Sequence, residues 1–351
     1  LPPAKRLAEA LERWFLKAAR DLPWRRKRSP WATLVSEILL QQTQVVRVAE
    51  RFPEFMARFP DPATMARLPV EAVLRSWRGL GYYRRARSLH ASARQIVSLH
   101  GGKVPNDPVA LRQLPGVGRY TAGAIASIAF GRAEPIVDGN VARVVSRLAD
   151  RRRSAVDREG VAWTWDAATR IVQQAANPGR TNEALMELGA TVCTPISPRC
   201  DACPLRSMCR SRDAGSQDVV PPPKPGAPRR RIVLHALVDV RDGRVSLERR
   251  ESGLWQGLLS PPLVPGPASM RRGEILRVSR ADRVDPCCAQ FDFQTTHRDV
   301  RFVVHIAEFG KRPGLRRIRL AQLSGEAVSA AALRVIQAAR QDLRPVDRLK
   351  A

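Results

Sequence analysis

Apolar residues recur at helical spacing through the first 215 positions and shift towards a period of two beyond about residue 230. Leu7, Leu11, Trp14 and Ala18 mark one face of a first helix. Ser29-Pro30 reads as an N-cap and first helical position, followed at helical spacing by Trp31, Leu34, Val35, Ile38 and Leu39. Asp61-Pro62 opens another helix, and Gly79 and Gly81 break the pattern before Tyr82. The next helix runs to about His100 and stops at Gly101-Gly102. Asn106-Asp107-Pro108 opens a short helix that ends at Leu114-Pro115-Gly116. A small-residue helix is predicted from Thr121 to Phe130, and Asp138 stands where an N-cap belongs, before Val141, Val144, Val145 and Leu148.

Residues 213–230 change character. Pro221-Pro222-Pro223-Lys224-Pro225-Gly226 reads as a stiff, extended linker. After it, Ile232–Val238 reads as a buried strand, Arg241-Asp242-Gly243-Arg244 as a hairpin turn, Val303, Val304 and Ile306 as another strand, and 327–340 as a terminal helix. The expected organisation is a mainly α domain over 1–212, a linker over 213–230 and a smaller α+β domain over 231–345. No internal repeat is visible.

Composition adds one strong constraint. The chain has 351 residues with 44% hydrophobic and 26% charged side chains, an ordinary globular balance. Its formal net charge is +27. Residues 1–228 carry 36 basic and 20 acidic side chains, and 229–351 carry 24 and 13, so the excess is not a single basic tail. A polyanion partner follows, nucleic acid first and an anionic membrane surface second. No run of eighteen apolar residues appears and no signal-peptide pattern is seen, so a membrane-spanning or secreted chain is not expected.

Four of the six cysteines, Cys193, Cys200, Cys203 and Cys209, fall within seventeen residues. Four clustered thiols without a secretion signal suggest a metal rather than disulfides. Either a [4Fe–4S] cluster or zinc is chemically possible. The uneven 6-2-5 spacing, with only one C-x2-C pair, favours a cluster wrapped by one loop. Cys287 and Cys288 are read as structural. Leu114-Pro115-Gly116-Val117-Gly118 joins two short helices, either as a plain interhelical turn or as a helix–hairpin–helix whose exposed N–H groups hold a phosphate oxygen. Asp138 is by itself an N-cap. A carboxylate at a helix start also stays ionised, which suits stabilising a positive reaction centre. Glu37 alone would be a solvated helix residue, but its apolar neighbours point to partial burial, which raises a carboxyl pKa and makes a general acid.

Taken together, Leu-Pro-Gly-Val-Gly, an Asp twenty residues after the second glycine, and C-x6-C-x2-C-x5-C resemble the endonuclease III superfamily of DNA base-excision glycosylases, over about residues 5–212. Within it the chain is similar to the adenine glycosylases of the MutY family. The matching stretches are Leu22-Pro23-Trp24-Arg25, Ser36-Glu37-Ile38-Leu39-Leu40-Gln41-Gln42-Thr43-Gln44-Val45 and Gly79-Leu80-Gly81-Tyr82-Tyr83. Gly253-Leu254-Trp255-Gln256-Gly257-Leu258 resembles the Nudix-like C-terminal domain of that family, without the paired glutamates of a Nudix hydrolase. The resemblance implies a helix–hairpin–helix glycosylase domain with a [4Fe–4S] loop (193–209) and a Nudix-like domain that recognises 8-oxoguanine. It implies removal of adenine mispaired with 8-oxoguanine or G in base-excision repair, on a base taken out of the stack. It casts Glu37 as the acid, Asp138 as stabiliser of the oxocarbenium-like sugar, and Tyr120 and Asn140 as residues that position them. Trp24, Arg25 and Glu183 match residues that hold the flipped adenine. Gln42, Leu80 and Tyr82 match residues at the duplex, and Gly116 and Gly118 form the hairpin. Bifunctional lyases carry a lysine where Tyr120 stands, so a monofunctional enzyme is expected.

The family's 8-oxoguanine loop commonly reads Phe-Ser-His, whereas the matching place here reads Thr295-Thr296-His297. The hydroxyl and imidazole remain but the aromatic ring is missing. The implied partner is double-stranded DNA containing A:8-oxoguanine, met by a monomer in the cytoplasm, at the bacterial nucleoid. Two other classes stay open: a glycosylase/lyase for damaged pyrimidines, and a non-catalytic DNA-binding protein with a structural cluster or zinc.

Overall fold

The computed structural model describes residues 1–223 and 228–343, so positions 224–227 of the expected linker and the last two of the expected C-terminal domain lie outside the described residues. The chain packs as two units. One takes Leu1–Leu68 and the chain from Ser88 to the proline-rich stretch; the other takes Pro69–Arg87 and the chain beyond that stretch.

The first unit is helical. Its elements include α1 (Ala4–Ala18), α2 (Pro30–Leu40), α3 (Arg84–His100, in this unit from Ser88 on), α4 (Pro108–Arg112), α5 (Arg119–Ala124), α6 (Gly139–Ala149), α7 (Arg158–Gln173) and α8 (Pro178–Thr191). The predicted caps form: the Ser29 side chain accepts from Ala32 N–H and the Asp107 side chain from Ala110 N–H. The small-residue helix differs from expectation. After α5 it widens into a π-helical turn over Ile125–Ala129, which re-aims Ile128 into the neighbourhood of α8. Leu7, Leu11 and Phe15 of α1, Val141, Val144 and Val145 of α6, Ile171 of α7 and Leu188 of α8 make one buried core. That core fixes the start of α6 against the middle of α8, where the functional side chains sit.

The second unit carries two sheets: β1 (Arg230–Val238), β5 (Leu263–Pro265), β6 (Arg283–Gln294) and β7 (Arg298–Glu308) in the order β5-β1-β7-β6, and β2 (Val240–Arg241), β3 (Arg244–Arg249), β4 (Leu259–Ser260) and β8 (Leu315–Arg319) built around β3. The β1–β7 pair is parallel over nine residues. Alternation puts Leu234, Ala236 and Val238 with Phe302, Val304, Val245, Ile318 and Val335 in one core, while Leu237, Val264 and Ala307 face the helix α9 (Arg272–Ser279) on the other side. The terminal helix α10 runs Ala330–Leu343, three residues later at each end than the sequence suggested. Pro69–Arg87 joins this unit through Arg78 Nη2 to Leu323 O (3.2 Å) and the Glu71–Arg249 ion pair (3.2 Å). Among the described residues no helix is long and apolar enough to cross a membrane.

Candidate active site

Glu37 lies on the last turn but one of α2 and is 6% exposed. Desolvation drives its carboxyl pKa up to about 7, and the nearby Glu183 and Asp138 charges add to the rise. A hydrogen bond from Tyr120 and the charge of Arg25 oppose it. The Tyr120 hydroxyl, pushed well above its ordinary range by burial and by the Glu37 and Asp138 carboxylates, also lies 3.0 Å from Met186 Sδ. Asp138 takes the N-cap of α6: its Oδ1 accepts from Val141 N–H (2.8 Å) and its Oδ2 from Asn140 Nδ2 (2.9 Å). Both oxygens are thus held by hydrogen-bond donors. These four residues line one cleft of about 230 Å³ together with Trp24, Arg25 and Glu183.

Around the expected Arg25 and Glu183 the cleft wall holds three charged residues that the sequence reading did not single out, Arg20, Arg28 and Glu187. Glu183 and Glu187 stand one turn apart on α8 and both are buried. Arg25 bridges them, Nε to Glu183 Oε1 (3.1 Å) and Nη2 to Glu187 Oε2 (3.0 Å). Arg20 donates to both Glu187 oxygens (2.6 and 3.0 Å), and Arg28 to Glu183 Oε2 (2.7 Å). The alternating row Arg20, Glu187, Arg25, Glu183, Arg28 offsets each buried carboxylate with two guanidinium groups, which is what makes their burial tolerable. Trp24 packs edge-on against Phe52 at 5.8 Å.

The hairpin forms as expected. Gly116 has φ +80, and a Cβ there would lie 2.7 Å from Ser88 Cβ, so only glycine fits. Gly118 is the N-cap of α5, with open space where a Cβ would be. Gln41 Nε2 reaches Thr121 Oγ1 (3.3 Å) and ties α2 to the hairpin. Gln42 is exposed in the left-handed region, φ 55.

In the second unit Tyr82 is also left-handed, φ 46, and 38% exposed; its hydroxyl bonds the Thr296 hydroxyl. Leu80 departs from expectation. Flanked by glycines with positive φ, it turns inward and is 5% exposed, so its side chain is core and not surface. Thr295, Thr296 and His297 form the loop between β6 and β7. The Thr295 hydroxyl accepts from Arg298 N–H and lies 3.1 Å from Arg298 O, so it closes the turn. Thr296 and His297 are exposed. The nearest aromatic in the strand, Phe293, packs on Trp255 and Phe302 and is committed to the core.

Cys193, Cys200, Cys203 and Cys209 line one small cavity, walled by Arg147, Arg199, Arg206 and Arg212. Burial, with repulsion among the thiols, raises Cys200 and Cys209 and pushes Cys203 up to about 12. Four thiolates in such a pocket need a cationic centre, and the donors around them fit an iron–sulfur cluster: Arg147 Nη1 to Cys193 Sγ (3.3 Å) and Leu205 N to Cys203 Sγ (3.4 Å). Arg143 joins the loop to the cleft, donating to Cys193 O, Gly189 O and Asn140 Oδ1, each at 2.8 Å.

Comparison with known proteins fits this geometry. Residues 35–159 match the HhH-GPD superfamily of base excision DNA repair proteins, and 193–209 match the iron–sulfur binding domain of endonuclease III. The chain is 46% identical over 218 residues to the adenine DNA glycosylase of Homo sapiens, covering 58% of this chain and 39% of that one. It is 44% identical over 222 residues to the adenine DNA glycosylase of Mycobacterium tuberculosis, covering 62% and 69%. Among solved structures it is similar to a thermostable thymine-DNA glycosylase (TM-score 0.54, 27% identity, 60% of this chain and 97% of that one). It is also similar to endonuclease III in a non-covalent DNA complex (TM-score 0.50, 27%, 59% and 94%). The chain spans about two fifths of the length of the human and rat relatives and about two thirds of the mycobacterial one. The stretch that carries the four thiols, 193–209, is an iron–sulfur binding segment of the [4Fe–4S] kind, and the chain belongs to the adenine DNA glycosylase family.

Proposed function

We propose that this chain removes adenine mispaired with 8-oxoguanine or guanine from double-stranded DNA, as a monofunctional glycosylase. The observation that carries the reading is the pairing of a buried Glu37, with its pKa raised to about 7, and a doubly hydrogen-bonded Asp138 in one cleft. Glycoside cleavage asks for those two states: one carboxyl able to donate a proton at neutral pH and one carboxylate that stays charged. Glu37 donates its proton to a ring nitrogen of the flipped adenine, the glycosidic bond breaks, and its electron pair leaves with the base. Asp138 stabilises the resulting oxocarbenium-like sugar. Glu37, now ionised, takes a proton from the water that attacks the sugar carbon. Tyr120 fixes the Glu37 carboxyl and Asn140 fixes Asp138. Trp24 stacks on the base, and Arg25 and Glu183 bond its edge.

Gly116 and Gly118 present the hairpin backbone to a phosphate, and Gln42 and Tyr82 press into the duplex. Leu80 takes part only through its backbone. Thr296 and His297 read the base opposite, on a Nudix-like domain over 231–345 that binds and does not hydrolyse. Cys193, Cys200, Cys203 and Cys209 would hold the cluster, which would cross-link their loop; the positive charge of that surface comes from Arg147, Arg199, Arg206 and Arg212, and the reaction steps belong to the side chains above. The chain works as a monomer, and its substrate places it at the nucleoid. The relatives named adenine DNA glycosylase, a DNA-bound structural neighbour and the +27 charge all support this reading.

The test is to incubate the protein with duplexes pairing A, G or C against 8-oxoguanine or G. Free adenine and an intact, alkali-labile strand are expected from the A-containing duplexes. Direct strand scission with a borohydride-trapped adduct would replace this reading with a lyase.

A further inference from the structure

The cleft has a neighbour within the first unit. A second cavity of about 430 Å³ lies beside it, bounded by Leu16 and Ala19 at the end of α1 and by Asn177 and Arg180 at the start of α8. Arg28, Ile128 and Glu183 line both spaces. The partition is therefore one layer of side chains, and its polar part is the Arg28–Glu183 ion pair at 2.7 Å. The pair is lopsided: the Glu183 side chain is 6% exposed and that of Arg28 38%. Arg25 anchors Glu183 from the cleft side through Oε1. If the pair parts, water can replace the carboxylate at the half-exposed Arg28, while the buried Glu183 keeps Arg25 and needs a new donor in place of Arg28. Glu183 stays in place, with Oε2 open.

A flipped nucleotide enters with its sugar and phosphates filling the mouth of the cleft. After the glycosidic bond breaks, the abasic strand still fills that mouth while the free base is inside. We propose that the second cavity is the exit subsite for the free purine base, gated by the Arg28–Glu183 pair. This rests on the glycosylase reading above. Glu183 serves as the hand-over group: its Oε2, vacated by Arg28, accepts from the exocyclic amino group of the base. Arg180 in the cavity wall offers donors to the ring nitrogens. The room is sufficient, since small-molecule sites run from about 300 to 1,000 Å³. The outer rim is open to solvent, with Leu16 65% exposed and Ala19 exposed as well.

The test fills the cavity from its rim. Ala19→Trp and, separately, Leu16→Trp replace exposed side chains outside the cleft. Under single-turnover conditions, a duplex carrying radiolabelled adenine opposite 8-oxoguanine gives two clocks. One is the alkali-labile strand after quenching; the other is labelled adenine passing a membrane that retains the protein–DNA complex. In at least one folded variant, strand conversion should stay within about twofold of wild type while base escape slows about tenfold or more. Base escape keeping pace with strand conversion in both variants overturns the exit subsite, and so does an equal slowing of both clocks. A wild-type protein that makes no abasic strand fails the glycosylase reading itself, which is a separate result.

Discussion

At the scale of single residues the cleft trades stability for chemistry, and Glu37 shows the trade. Its folded-state pKa of about 7 lies above the ordinary 4.5, so between those values the folded chain holds a proton that the unfolded chain has lost. Stability from this group is therefore complete below about pH 4.5 and falls as pH rises through 7, by about 3 kcal/mol in all. Glu37→Gln removes that cost while its amide oxygen can still accept from Tyr120. The variant should melt higher than wild type at pH 8, with the gap closing towards pH 4.5, as calorimetry can follow. The same change removes the proton donor, so base release should fall by about 10²–10⁴ while duplex binding remains. Release within threefold of wild type in a single-turnover assay would remove Glu37 from the role of acid. The wild-type rate of base release should decline as pH rises past about 7, since the acid must be protonated to act. A flat profile from pH 6 to 9 would point to a different proton donor.

At the scale of elements, α6 and α8 each place paired charges one turn apart, and the pairs do different jobs. On α8, Glu183 and Glu187 face the cleft. On α6, which begins at Asp138, Arg143 and Arg147 face the cysteine loop: Arg143 holds Asn140 and the Cys193 carbonyl, and Arg147 holds Cys193 Sγ and the carbonyls of Thr194 and Pro195. Arg143→Ala should lower base release about 10–100-fold, because Asn140 loses the donor that orients it towards Asp138, while the visible absorbance of the cluster persists. Loss of absorbance in step with activity would instead make Arg143 a support of the loop alone. Much of this framework was legible in the sequence, for physical reasons that differ by residue. Caps such as Ser29, Asp107 and Asp138 act on the backbone three residues ahead, so their neighbours announce them. The burial of Glu37 followed from its apolar helix. Arg20, Arg28 and Glu187 were illegible because their partners lie far away in the chain, 167 residues for Arg20 and 155 for Arg28, and Arg143 because 60 basic residues leave no single arginine distinctive. Strand β6 was missed because register shifts around Cys287 break its alternation.

At the scale of the whole molecule, the proposed function gives affinity to charge and choice to the loop between β6 and β7, and the two can be measured apart. A net charge of +27, spread over both halves of the sequence, gives any duplex a background affinity that falls steeply with salt. That background is blind to the base opposite adenine. Discrimination must come from side chains that reach a base edge, and the proposal rests it on Thr296 and His297, since the Thr295 hydroxyl closes the turn. Replacing Thr296 and His297 together by alanine should flatten the preference for A:8-oxoguanine over A:G while leaving the slope of log affinity against log salt unchanged. Thr295→Phe should act the other way. It gives up a turn hydrogen bond worth about 0.5–1.5 kcal/mol of stability, and it supplies the aromatic contact that this loop lacks, worth about 1–3 kcal/mol per base. Sharpened preference by roughly 5–150-fold is the expected result, with a slightly lower melting temperature. The measurement is binding of duplexes carrying an uncleavable adenine analogue opposite 8-oxoguanine or G, across a salt series. If the double alanine variant keeps the full preference at every salt concentration, the oxidised base is read elsewhere, and the exposed Thr296 and His297 serve only the turn between two strands.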